Sequence, residues 1–245
     1  MKKTTIELNT MNYASVEELK TLRTNILFCG DDKQVIMVTS SVMGEGKTHA
    51  STYLAASLAE LKKKVLIVDV DLRKSVMASR LGAQEIDKGL SHFLTGQAAM
   101  SDIVYATNIS KLHVIFSGPY VPNPTELLSG ERFKKMIESL RTLYDYIIVD
   151  APPLGMVIDA AIIAKSCDGA VLVMESGAIK YRVAQNVKEK LESTGCPILG
   201  VVLNKVDRKK NGGYYNKYYG KYYGRYYGKT YGGGGEKYQI LDEAR

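Results

Sequence analysis

The chain has 245 residues, 45% of them hydrophobic, enough to supply the core of one large α/β domain or two small ones. No apolar run approaches the roughly 18 residues a membrane-spanning helix needs, and the three scattered cysteines (Cys29, Cys167, Cys196) and three scattered histidines exclude a disulfide framework and offer no metal-ligand spacing. The formal charge of +7 sits at one end: residues 205–245 hold ten of the 33 Lys and Arg but four of the 26 Asp and Glu.

Taken in order, residues 1–12 carry no clear pattern and are expected to be mobile. A helix is predicted from Ser15, which can cap it with Glu18 at capping-box spacing. Val16, Leu19, Leu22, Ile26 and Leu27 recur at helical intervals. Glu17, Lys20 and Arg23 line one side, as a solvated Glu–Lys face or as a self-association patch.

Next an apolar run, Val35 to Val38, enters Ser41-Val42-Met43-Gly44-Glu45-Gly46-Lys47-Thr48, and a helix is predicted from His49 to Leu61. The loop matches G-x-x-x-x-G-K-[ST] except that Ser41 replaces the first glycine. Strand, glycine loop and helix wrap backbone N–H groups around a phosphate chain, with the helix N-terminus adding partial positive charge. Lys47 can reach the β- and γ-phosphates, and the Thr48 hydroxyl can hold Mg²⁺. The predicted nucleotide-binding set is therefore Ser41, Val42, Met43, Gly44, Glu45, Gly46, Lys47, Thr48 and His49.

A second strand, Val65–Val68, runs into Asp69 and Asp71. Alternation sends both to one side of an extended segment at the carboxyl edge of a parallel sheet, where ligands bind in open α/β folds. Two carboxylates beside a phosphate loop imply magnesium, a general base, or both. Residues 74–111 are less legible, punctuated by Gly82, Gly89 and Gly96. A strand at 112–116, a proline-rich loop to Pro124, a helix begun by Thr125 and another over 132–143 follow.

Tyr146 to Val149, then Asp150 and Pro152-Pro153, resembles a Walker B strand, with Asp150 placed to hold Mg²⁺. Helices at 158–166 and 179–193 and strands at 170–174 and 198–203 complete a doubly wound, mostly parallel α/β sheet of P-loop NTPase type. Five or six strands covered on both faces are expected. The last strand enters Asn204-Lys205-Val206-Asp207, literally the guanine-reading N-K-x-D; Asn204 could instead hydrogen-bond adenine.

This body, residues 1–207, is followed by a low-complexity tail, 208–245. Tyr214 and Tyr215, Tyr218 and Tyr219, Tyr222 and Tyr223, and Tyr226 and Tyr227 repeat with a period of four, and Tyr231 follows. Glycine and cations in each repeat predict disorder. The composition suits an aromatic linker, a nucleic-acid arm, or a set of phosphate acceptors.

Together these segments resemble the bacterial tyrosine kinases. Gly44 to Thr48 looks like that family's Walker A, Ile67 to Arg73 its Walker A′, and Ile147 to Pro153 its Walker B. Pro122-Asn123-Pro124 with Leu127-Leu128 is a further similar stretch. Glu17, Lys20 and Arg23 match its E-x-x-R-x-x-R oligomerisation motif except for lysine at the second position, which lacks arginine's bidentate fork.

The resemblance implies an ATP- and Mg²⁺-dependent protein-tyrosine kinase, with Lys47, Asp69 and Asp71 catalytic and Thr48 and Asp150 on the metal. Its acceptors would be the tail tyrosines of a neighbouring subunit. It further implies a cytoplasmic chain forming a ring and drawn to the membrane by a transmembrane activator. A cognate phosphotyrosine phosphatase, a role in capsular or extracellular polysaccharide synthesis, substrates among the polymer's enzymes and no nucleic-acid partner complete that expectation. The alternatives are a ParA/MinD-like positioning ATPase and a nucleotide-dependent assembly scaffold. The ParA/MinD proteins use an additional early lysine where this chain has Val42.

Overall fold

The computed structural model describes residues 1–207 and the short strand Lys237–Tyr238. In chain order, β1 (Lys2–Lys3) and β2 (Met11–Asn12) precede α1 (Tyr13–Phe28). Then come β3 (Val35–Ser40), α2 (Lys47–Glu60) and β4 (Val65–Asp69). The poorly legible stretch holds α3 (Met77–Arg80), α4 (Leu90–Leu94), α5 (Met100–Ile103) and β5 (Tyr105–Ala106), ahead of β6 (Leu112–Ile115). After α6 (Pro124–Ser129) and α7 (Glu131–Arg141) the chain forms β7 (Tyr146–Asp150) and α8 (Asp159–Ala164). β8 (Gly169–Glu175), α9 (Tyr181–Glu192) and β9 (Ile198–Asn204) follow, and β10 (Lys237–Tyr238) pairs antiparallel with β2.

Every residue of β3, β4 and β7 is buried, as continuous apolar runs in a sheet covered on two faces must be. The sheet has eight strands in the order β1-β5-β6-β4-β7-β3-β8-β9, all parallel except the β5–β6 pair. Alternation along the strands divides the core in two. Met37, Leu66 and Val149 pack with Phe133, Ile137 and Leu140 of α7 and Leu191 of α9. Ile36, Ile67 and Ile148 pack on the other face with Leu54 and Leu58 of α2 and Ile26 of α1. Because β7 lies between β3 and β4, the carboxyl ends of all three open on one crevice.

Several sequence expectations change. The sheet exceeds five or six strands because β5 forms within residues 74–111 and residues 1–12 are not loose: β1 pairs with β5, Thr4 N–H donates to the Ala106 carbonyl at 2.9 Å, and Ile6 is buried. Their partners lie about a hundred residues along the chain, beyond any local pattern. Asn12, not Ser15, caps α1, its side chain accepting from Ser15 N–H at 2.9 Å. α6 begins at Pro124, whose fixed φ suits a first helical turn, rather than at Thr125. Covering is incomplete at the β9 edge, where Val201 and Leu203 are more than half exposed.

Asp168 ties the sheet's amino edge together. Its carboxylate accepts from Gln34 N–H (3.0 Å) and Val35 N–H (2.7 Å) at the start of β3, and pairs bidentately with Arg141 of α7 at 2.7 Å. Burial works against its charge, and Arg141 with the two amides outweighs it, leaving the pKa below the ordinary value. Asp168→Ala leaves two amides without an acceptor and Arg141 with only the Ser166 carbonyl, and should cost about 2–3 kcal/mol. The urea midpoint at neutral pH measures this; an unchanged midpoint contradicts it.

Candidate active site

β3 ends at Ser40, and the chain turns through residues 41–46 before α2 begins at Lys47. Two positions of the turn need glycine: Gly44 and Gly46 have φ of 88° and 98°. Gly46 is doubly constrained, because a Cβ there would lie 2.1 Å from Asn204 Nδ2. The Glu45 side chain is buried and turned back under the loop, accepting from Ser41 N–H (2.6 Å), Val42 N–H (2.8 Å) and Glu175 N–H (3.1 Å).

Lys47 extends from the first turn of α2 toward two carboxylates. Its Nζ lies 3.5 Å from Asp71 Oδ2 and 3.8 Å from Asp150 Oδ1. The Thr48 hydroxyl donates to Asp150 Oδ2 at 2.7 Å. Asp69 and Asp150 sit side by side at the ends of β4 and β7, and both are buried. Asp69 accepts from the Ser75 hydroxyl and from Asp71 N–H (3.2 Å). Burial first, and the neighbouring Asp150 charge second, push Asp69 up to about 7. Burial also raises Asp150, against the opposing pull of Lys47 and the Thr48 hydroxyl. Asp71 accepts from Lys74 N–H at 3.0 Å through its other oxygen.

The three acids and the lysine thus share one crevice. A magnesium ion fits this donor set. Asp150 Oδ1 is buried without a hydrogen-bond partner, and a hydroxyl stands on the same carboxylate. No group of three or more His, Cys, Asp or Glu arranged to hold a metal occurs among the described residues.

The remaining predicted residues distribute as follows. Val42 and Met43 are exposed on the loop's rim, whereas Ser41 is fully buried. His49 is exposed, its ring 4.1 Å from that of Tyr53. Asn204 reaches the loop, donating to the Glu45 carbonyl at 2.8 Å, and Lys205 pairs with Glu175 at 2.7 Å. On α1, Glu17 and Lys20 pair with each other at 2.9 Å. Arg23 turns inward to α2, donating to the Ser57 carbonyl (2.9 Å) and pairing with Glu60 (3.2 Å). The tail tyrosines, Tyr214 to Tyr231, lie outside the described residues.

A second cluster stands beside the site: the sequence leads one to expect Arg73 to steady phosphate or an acidic partner, and the partner is Asp159. Arg73 bonds Asp159 through Nε (2.5 Å) and Nη2 (3.1 Å) and reaches Thr125 Oγ1 at 3.0 Å, while the Thr125 hydroxyl also donates to Asp159 (2.7 Å). Asp159 opens α8, so this cluster ties the segment after β4 to α6 and α8. An arginine two residues past an acidic pair was the available signal; its partner, 86 residues on, was not.

Comparison with known proteins adds to this geometry. An AAA domain family model matches residues 33–188. The chain is 46% identical over 191 residues to the tyrosine-protein kinase CpsD of Streptococcus agalactiae, covering 78% of this chain and 83% of that one. The crystal structure of the chimerical protein CapA2B2 superposes with a TM-score of 0.74 at 31% identity, over 84% of this chain and 94% of that one. The septum site-determining protein MinD of Pyrococcus horikoshii, solved with Mg-ADP, gives a TM-score of 0.63 at 28% identity, covering 71% of each chain.

The Asp69 environment makes a pH-dependent prediction. Its pKa rises from an ordinary 3.8 to about 7 on folding, so the folded chain holds this proton more tightly than the unfolded chain. Stability from this group is complete in acid and is lost as pH rises through about 7. Asp69→Asn, neutral throughout, should melt higher than the wild type at about pH 8 in metal- and nucleotide-free buffer, with the gap closing on acidification. A variant less stable than the wild type at alkaline pH contradicts this.

Proposed function

The chain belongs to the bacterial tyrosine kinases, and from that premise we propose that the Lys47–Asp71–Asp150 crevice moves the γ-phosphoryl group of ATP onto tail tyrosines of a neighbouring copy. The enzyme is an ATP-dependent protein-tyrosine kinase. The observation that carries the site assignment is Lys47 held between Asp71 and Asp150 at the mouth of the glycine loop.

Phosphoryl transfer asks a protein mainly to position the groups and neutralise charge. Lys47 and the amides of residues 43–48 neutralise phosphate oxygens, the amides of Ser41 and Val42 being held by Glu45. Thr48 and Asp150 would hold Mg²⁺, which when bound adds positive charge at those oxygens. Asp71 is the base. The phenol oxygen forms a bond to the γ-phosphorus, the bond from that phosphorus to the bridging oxygen breaks, ADP leaves, and the phenol proton passes to Asp71. A free phenol has a pKa of about 10, so a base within hydrogen-bond reach is needed near neutral pH. Asp69, buried beside Asp150 and held by Ser75, supports the metal shell or shares the proton.

The tail supplies the acceptors: ten of the chain's 17 tyrosines lie from Tyr214 onward, within residues 208–245, whose net charge is +6. Each phosphate adds about −1.5 to −2 charges, so modifying about four reverses that sign. Phosphorylated tails then repel one another and leave their neighbours' sites, loosening the ring. No helix among the described residues is long and apolar enough to cross a membrane. Membrane recruitment by a transmembrane activator, reversal by a phosphotyrosine phosphatase, and control of polysaccharide synthesis belong to the same proposal.

A mixing experiment tests transfer between copies. A tail-less active chain is combined with a tailed Lys47→Met chain under assembling conditions. Phosphate should appear on the tail of the inactive partner, and its absence rejects transfer between subunits. Asp71→Asn should lower kcat by about 100-fold while ATP affinity changes little; an unchanged kcat removes Asp71 as the base.

A further inference from the structure

The glycine loop contains an acidic residue that a phosphate cradle does not obviously want. We propose that Glu45 and Asn204 are positioning residues that lock the glycine loop onto the carboxyl ends of β8 and β9, and so set its affinity for nucleoside polyphosphates. The proposal rests on the nucleotide reading of the site.

The contacts divide between two oxygens. Glu45 Oε2 accepts from Ser41 and Val42 N–H, gathering the first turn of the loop, whereas Oε1 accepts from Glu175 N–H at the end of β8. A deprotonated carboxylate is an acceptor only, so it suits three converging N–H donors, and these charge-assisted bonds are strong. The carboxylate thereby occupies the amides of residues 41 and 42 from beneath.

From the other side, Asn204 Nδ2 donates to the Glu45 carbonyl, its Oδ1 accepts from Lys205 N–H at 2.9 Å, and its carbonyl accepts from Ser176 N–H at 2.9 Å. The side chain sits so close to Gly46 that only glycine fits beneath it. Lys205 closes the assembly by pairing with Glu175. The loop's shape is thus fixed by the ends of two neighbouring strands as well as by its glycines. Because Asn204 stands three residues before Asp207, the last residue of the body, the same clamp joins the loop to the point where the tail departs.

Glutamine at position 45 can keep its oxygen on the Ser41 and Val42 amides, but then sets an NH₂ against Glu175 N–H. Alanine loses both connections. Glu45→Gln should weaken ATP binding about 5-fold and Glu45→Ala at least about 30-fold. Asn204→Ala should weaken ATP and GTP by the same factor, about 5- to 10-fold, because it loosens the loop rather than a base contact. For Glu45→Gln and Asn204→Ala, KM for ATP should rise while kcat at saturating ATP stays within about 2-fold, the pattern of lost uniform binding.

The test is titration of the full-length wild type and the three variants with fluorescent ATP and GTP analogues, with circular dichroism giving the folded fraction. Equal affinity per folded chain for Glu45→Gln and Asn204→Ala overturns the proposal, even if Glu45→Ala fails to fold. An altered ATP-to-GTP ratio in Asn204→Ala makes Asn204 a base reader and overturns its part. Wild-type chain that binds neither nucleotide refutes the nucleotide reading itself.

Discussion

Everything at this site depends on one ammonium group facing buried carboxylates. Lys47 has Asp71 and Asp150 within 4 Å, and Asp69 stands beside Asp150 with its pKa already pushed up to about 7. Three acids and one cation, largely removed from water, cannot all be satisfied by one another. One oxygen of Asp150 is left buried without a donor. The proposed Mg²⁺ and ATP would supply the cation and the anion that this unbalanced set lacks.

That local imbalance is imposed by topology. Asp69 and Asp150 are the last residues of neighbouring parallel strands, and Lys47 opens the helix that follows β3. No single loop could bring these groups together: β4, β7 and β3 must lie side by side with their carboxyl ends level. The hydrophobic layers on both faces and the Asp168–Arg141 pair at the opposite edge hold that alignment. On the second rim, Arg73 and Asp159 fasten the segment carrying Asp71 to α6 and α8, so that the acidic segments share one frame.

What was legible in the sequence follows from whether a signal is local. β3, β4 and β7 are unbroken apolar runs ending in chemistry-bearing residues, so strand, edge and acid could be read together. The glycine loop declared itself because Gly44 and Gly46 adopt conformations few other residues accept. What was hidden depends on distant partners. The strand at Lys2–Lys3 exists only because Tyr105–Ala106 lies beside it. Arg23 looked like part of an outward-facing charged stripe, and only the packing of α1 on α2 shows it bonded to Ser57 and Glu60. Glu45 was legible only as a member of the predicted nucleotide loop, since nothing in the motif reveals that its side chain turns back to Glu175.

The central claim is that this crevice has the chain's own tyrosine-rich end as its acceptor. Mass-spectrometric mapping of the full chain, assembled with a membrane activator and given ATP and Mg²⁺, tests it most directly. The account predicts phosphate within Tyr214–Tyr231 of the wild type and none in a population made entirely of Lys47→Met chains. Turnover of ATP with every one of those phenols unmodified would contradict it.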